Sequence, residues 1–125
     1  MKKIVLDTSF LISCANFKID WESELKRICD FHFEVVLLDR VAEELKTVRK
    51  DKIAAKLAIA ILKHKKIFAI PTNWDERQSV DSLIVAFAAK NKALVATQDL
   101  GLKKRLRAKL ARTITIRQKG HLVLE

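Results

Sequence analysis

The amino-acid sequence predicts an α/β chain in three layers, with helices on both faces of a central, mainly parallel five-stranded sheet. Two observations carry this expectation. Short apolar runs of strand length alternate with segments of helical periodicity, the pattern of parallel strands joined by crossover helices. In addition, no linker, repeat or low-complexity block interrupts the 125 residues, half of them hydrophobic, with only two Gly and one Pro. Residues 1–125 therefore read as one domain, large enough to bury a core.

The first strand is Ile4-Val5-Leu6, continuously apolar as expected of a strand covered on both faces. Thr8 and Ser9 offer hydroxyls to open a helix to about Asn16, and a second helix fits Trp21 to Cys29, where Trp21, Leu25 and Ile28 share a face. The β-rich run Glu34 to Leu38 is the second strand. Asp39 is placed to cap a helix from Arg40 to about Arg49, and Asp51 to cap another from Lys52 to His64. In that last helix Ile53, Leu57 and Ile61 with Ala54, Ala58 and Leu62 are expected on the inward side. Lys66 to Ile70 is the third strand, stopped by Pro71. Ser79 opens a helix that is apolar nearly all round, Ala93 to Thr97 is the fourth strand, and a basic helix follows from Leu100 to Ala111. Thr113 to Ile116 is the fifth strand, which His121 to Leu124 either extends or borders as an edge piece.

The net charge is +10, and it is unevenly placed. Residues 1–89 carry 15 basic and 13 acidic side chains; residues 90–125 carry 10 and 2. A basic field of this kind suits a polyanion such as nucleic acid. No apolar run approaches the roughly 20 residues of a membrane span, and Asp7 interrupts the start too early for a secretory signal. Cys14 and Cys29 are too few for a disulfide framework or a four-ligand zinc site, so two reduced thiols in a cytoplasmic protein are expected. Two glycines cannot supply a Gly-rich nucleotide fingerprint and no P-loop is present, so no nucleotide cofactor is expected.

Four carboxylates occupy conspicuous positions. Functional groups of parallel sheets gather beyond the carboxyl ends of strands, and Asp7 and Asp99 follow the first and fourth strands there. An N-cap is the ordinary explanation for each. Glu44 is harder to explain, because it shares a helix face with Val41 and Val48, whereas Glu43 is rotated outward. Asp81 similarly shares a face with Ile84, Val85 and Ala88. A carboxylate on a core-facing stripe is costly without a cation or several donors, and periodicity places no basic residue on those stripes within one turn. Four converging acids would repel one another unless a divalent cation neutralised them, and all-oxygen ligation selects Mg²⁺ or Mn²⁺. Such a site could orient a phosphodiester and activate water.

At these residues the chain resembles the PIN-domain ribonucleases over essentially its whole length. The matching segments are Val5 to Leu11 (VLDTSFL), Val41 to Leu45 (VAEEL), Val80 to Ile84 (VDSLI) and Val95 to Asp99 (VATQD). The resemblance implies a PIN-like three-layer fold and metal-dependent endoribonuclease activity. It makes Asp7, Glu44, Asp81 and Asp99 the catalytic and metal-holding acids, with Thr8, Ser9 and Thr97 in support. VapC-type toxins of this family often add an acid shortly after the T-x-D; here Leu100 to Leu106 contains none. The basic continuation looks more like the PIN proteins of archaeal and eukaryotic ribosomal RNA processing.

Lys103, Lys104, Arg105 and Arg107, with Lys109 and Arg112, crowd the late helix, whose Leu102, Leu106 and Leu110 form a packing seam. The first four are the expected RNA-binding residues, with a solvated face as the ordinary alternative. His32, His64 and His121 share no motif. Trp74 either stacks a base or packs its loop. The stretches Phe10 to Ile12 and Ile59 to Leu62 could support a homodimer, though burial explains them equally well. The expected activity is endonucleolytic RNA cleavage, with ribosomal precursor RNA ahead of a toxin role. A non-catalytic RNA-binding assembly factor of the same fold is the alternative from a different class.

Overall fold

The computed structural model describes every residue except Trp74, and the expectation for Trp74 lies outside the described residues. The strands are β1 (Lys2–Leu6), β2 (Phe33–Leu38), β3 (Ala69–Ile70), β4 (Leu94–Ala96), β5 (Thr113–Arg117) and β6 (His121–Leu124). The helices are α1 (Thr8–Asn16), α2 (Trp21–Ile28), α3 (Asp39–Thr47), α4 (Lys52–His64), α5 (Val80–Asn91) and α6 (Leu100–Ala108). They build the expected α/β fold on one sheet of order β3-β2-β1-β4-β5-β6. The first five strands pair parallel, while β6 folds back antiparallel on β5.

The sheet therefore has six strands, not five. The hairpin to β6 turns through Gln118 and Lys119, both at φ 55, without the Asn-Gly signal that normally marks a hairpin. The third strand is also shorter than the expected Lys66 to Ile70. Lys66 has φ 58 as the chain leaves α4, and Phe68 is 71 % exposed, so pairing begins only at Ala69 on the sheet edge.

Connections from β1 run to β2 on one side, while β4, the other neighbour of β1, leads to β5 on the opposite side. The order reverses between β1 and β4, and the crevice at their carboxyl ends is where such folds hold their sites. The core is centred on these strands: Ile4, Val5, Leu6, Val95 and Ala96 are fully buried. Helices α1, α3 and α4 pack on one another, and α5 packs with α6. A Lys65–Glu22 ion pair at 3.0 Å ties α2 to the end of α4, where the Lys65 ammonium also lies 5.4 Å from the centre of the Trp21 ring.

Three cap and face expectations are corrected. Asp51 precedes α4 in a left-handed conformation (φ 58) and makes no cap bond. Asp39 is the first residue of α3, and its carboxylate accepts from the Arg40 N–H and from both N–H and hydroxyl of Thr72. Burial acts to raise the Asp39 carboxyl, but those donors together hold it below its ordinary value. In α4, Ala54, Ala58 and Leu62 are buried as expected, whereas Ile53 is 86 % and Leu57 46 % exposed, because the closely packed small residues set the contact with α1. Cys14 and Cys29 are free thiols, and burial pushes Cys14 up to about 12, which leaves it unreactive. No described helix is long and apolar enough to cross a membrane.

Candidate functional site

Asp7 leaves β1 while its N–H still bonds the Ala96 carbonyl of β4 at 3.0 Å. It stands at the start of α1, yet its side chain caps nothing there. With 5 % exposure, its Oδ2 instead accepts from Ser9 Oγ at 2.9 Å and from Thr97 Oγ1 at 2.7 Å. No ion pair to Asp7 occurs among the described residues. A buried carboxylate is thus held by two neutral hydroxyls, one from α1 and one from the end of β4.

The same hydroxyls shape the turn that carries Asp99. Thr97 Oγ1 accepts from the Asp99 N–H at 3.1 Å, and Ser9 Oγ accepts from the Gln98 N–H at 3.1 Å. Gln98 itself reaches sideways to β5, its Oε1 accepting from Ile116 N–H at 2.7 Å and Thr115 Oγ1 at 2.6 Å. Asp99 then performs the cap expected of it: Oδ1 accepts from Leu102 N–H at 3.0 Å. Gly101 leaves room for that folded carboxylate, since a Cβ there would stand 3.3 Å from Oδ1.

Glu44 and Asp81 approach from α3 and α5. Thr8 Oγ1 donates to Glu44 Oε1 at 2.7 Å, which joins α3 to the start of α1. The Glu44 carboxyl is raised above its ordinary value, first by burial and then by the charges of Asp7 and Asp81; the Thr8 bond and Arg40 act against this. Asp81 is raised first by burial, then by Asp99 and Asp7, with Arg105 opposing. Each of the four sequence-selected acids therefore lies in the field of at least one other, and four separate elements bring them to the carboxyl edge of β1 and β4. Two cations that the sequence expectation did not place beside the acids also reach this edge: Arg40, and Arg105, which was expected to meet RNA. Arg40 stands one turn before Glu44 on α3, a position the i, i+4 spacing does reveal. Arg105 arrives from α6 and donates to Ser82 Oγ at 3.0 Å.

The donor chemistry fits a hard divalent cation, because the acids present oxygen alone and their repulsion exceeds what two arginines remove. As they stand, no three described Asp, Glu, His or Cys side chains form a ready-made metal cage. That spacing suits an ion that retains several waters and takes only one or two carboxylates directly, as Mg²⁺ does.

The raised pair has a consequence for stability. A carboxyl that holds its proton more tightly when folded favours the fold while protonated, and this contribution is lost as pH rises through the folded value. The lowered carboxyls of Asp20, Glu24, Asp39 and Asp75 act oppositely, but below their ordinary range. In chelator, melting temperature is therefore expected to fall by a few degrees as pH rises above the ordinary carboxylate range, and Asp81→Asn to flatten that fall. Circular-dichroism melts across pH measure both; a flat wild-type profile would contradict the raising of Glu44 and Asp81 by burial and by their neighbouring acids.

The four basic residues expected to meet RNA divide. Lys104 and Arg107 are exposed on α6 and enter no ion pair among the described residues. Lys103 folds inward, its Nζ donating to Thr115 Oγ1 at 2.6 Å, and Arg105 turns to Ser82 and Asp81. The leucine seam also ends early. Leu102 and Leu106 are fully buried, but α6 stops at Ala108 and Leu110, at φ 60, is 92 % exposed. Gln98 was not selected from the sequence, which carries no signal for a contact made across 17 residues.

The profile of the PIN like domain family matches residues 4–119. Ribonuclease VapC4 of Methanocaldococcus jannaschii is 34 % identical over 129 residues, an alignment covering 97 % of this chain and 95 % of that protein. The solved structure of the PIN domain endonuclease Utp24 superposes with a TM-score of 0.84 at 25 % identity, covering 98 % of this chain and 90 % of its own.

Proposed function

From a chain that belongs to the PIN-domain family, we propose that it is a divalent-metal-dependent endoribonuclease whose acids are Asp7, Glu44, Asp81 and Asp99. The observation that carries this reading is the buried Asp7 carboxylate, held only by hydroxyls while its charge acts on both Glu44 and Asp81. Asp7 has no ion-pair partner among the described residues, and it adds to a negative cluster that Arg40 and Arg105 offset only in part. The relatives named ribonuclease and endonuclease support an RNA substrate and cleavage within the strand.

When bound, Mg²⁺ or Mn²⁺ would supply Lewis acidity at the phosphate and make a water more readily deprotonated. The chain's own residues do the rest. Asp7 is fixed by Ser9 and Thr97, so its free oxygen has one direction to face. Thr8 holds Glu44, and Gln98 clamps the turn on which Asp99 stands. In-line attack of water at phosphorus, with departure of the 3′ oxygen, leaves a 3′-hydroxyl and a 5′-phosphate. The basic surface of α6, in place of a further acid, supports ribosomal precursor RNA over a toxin's target, in the cytoplasm.

The test is incubation with structured RNA in Mn²⁺, Mg²⁺ and EDTA, with end-group analysis of products. Expected are cleavage with either metal, none in EDTA, and 5′-phosphate ends. Cleavage surviving EDTA with cyclic phosphate ends would overturn the mechanism. Tight RNA binding without cleavage under any metal would favour the assembly factor.

A further inference from the structure

We propose that the RNA strand is anchored in a basic hollow at the amino edge of the sheet, at the far end of α5 and α6 from the acids. This rests on the ribonucleic-acid reading above. Helices α5 and α6 lie side by side and both begin at the acid cluster, with Asp81 in the first turn of one and Asp99 capping the other. Both end at a hollow of about 520 Å³ on the opposite edge. Lys2, Lys92, Lys109 and Arg112 line it, with Asp30 the acid among its lining residues.

These cations exceed what the local structure needs. Two helix C-termini present roughly half a negative charge each. Together with Asp30 they offset about two of four cations and leave a surplus of about two. None of the four is in a side-chain ion pair among the described residues. Arg112 Nε donates to the Glu125 main-chain oxygen at 3.4 Å, and the Lys2 ammonium lies 6.0 Å from the centre of the Phe31 ring. The backbone is also held unfavourably at both turns that close the hollow: Lys92 has φ 51 and Leu110 φ 60, where glycine is the usual residue. Leu110 adds a 92 % exposed apolar side chain at the rim. Cations beside an exposed apolar group suit a phosphate whose sugar and base carry apolar surface of their own.

The bridge between the ends is α6. Its nine residues span about 14 Å, roughly four stacked nucleotide steps of ~3.4 Å, and its exposed Lys104 and Arg107 stand between. The arrangement answers a problem set by the acids, since a negative cluster repels the strand it must cut. Attraction has to come from a distance, and the surplus cations lie at the other end of the same helices.

The experiment compares RNA binding of the full chain with a Lys92→Gly/Lys109→Gln/Arg112→Gln variant. Fluorescence anisotropy with a labelled single strand of about twelve nucleotides, in EDTA, measures affinity across a salt series. Glycine at 92 removes the charge and suits the positive φ, and a melt checks folding; single Lys109→Gln, at an exposed residue, gives a smaller loss if the triple variant unfolds. The expected result is at least a tenfold loss at low salt, with the slope of log affinity on log salt smaller by about two, at ~0.7 per phosphate contact. A charge-matched variant, Lys46→Gln/Lys50→Gln/Lys56→Gln, is expected to lose far less. Equal losses in the two variants would overturn the anchor in favour of a general field. Unchanged RNA affinity, with pyrophosphate bound by wild type and not by the variant, would overturn it in favour of a small-anion site. Because binding is read in chelator, a wild type that never cleaves RNA would defeat the ribonuclease reading while leaving this result standing, and the converse holds.

Discussion

Asp7→Asn is expected to reduce metal-dependent RNA cleavage by about a thousandfold, the scale of losing a preorganised electrostatic group, while the chain stays folded. Asparagine has nearly the shape of aspartate, and its amide oxygen can still accept from Ser9 and Thr97. What disappears is the charge. Single-turnover cleavage measures the first effect and a melt the second. A further readout separates loss of charge from accidental damage: Asp7 raises both Glu44 and Asp81. Without it the fall of apo stability with rising pH should weaken. An asparagine variant that kept a tenth of wild-type activity would remove Asp7 from the proposed chemistry.

The second large effect is expected at Thr97→Val. The substitution keeps the volume and deletes a fully buried hydroxyl that works in two directions. It donates to Asp7 and accepts from the Asp99 N–H, so one atom holds two acids from adjacent strands in register. Leaving a buried carboxylate short of a donor and an amide without an acceptor costs about 1–3 kcal/mol. Disturbing a group that orients ligands lowers activity by about 10- to 100-fold. Thr97→Ser, which restores the hydroxyl, is expected to recover most of both. Urea unfolding and cleavage assays on the pair decide it, and a valine variant as stable and active as wild type would contradict the geometry.

The site was legible in the sequence to the extent that each acid broke a local rule. Glu44 and Asp81 interrupted apolar helix faces, and Asp7 and Asp99 stood just beyond strand ends. Periodicity also separated Glu44 from Glu43, which faces outward and pairs loosely with Arg40 at 3.7 Å. What stayed hidden depends on packing between distant segments. Gln98 bonding β5 and Arg105 meeting Ser82 arise only once α6 lies on α5. Leu110 misled for a different reason: the i, i+4 spacing continues past the end of α6, and no Gly or Pro marks the stop. The sixth strand was ambiguous because its turn uses Gln and Lys in a conformation usually left to Asn and Gly.

The central pairing of β1 with β4 also governs when the molecule becomes competent. The Asp7–Thr97 bond joins residues 90 apart in the chain, so closing it spends loop entropy that nearby contacts never return. During synthesis from the amino end, Asp7, Glu44 and Asp81 are all added to the chain before β4 exists to receive β1. The nascent chain thus carries most of its acids without their arrangement. Assembly of the cluster waits on synthesis of β4 and the turn that carries Asp99, so three of the acids are made before they can act together.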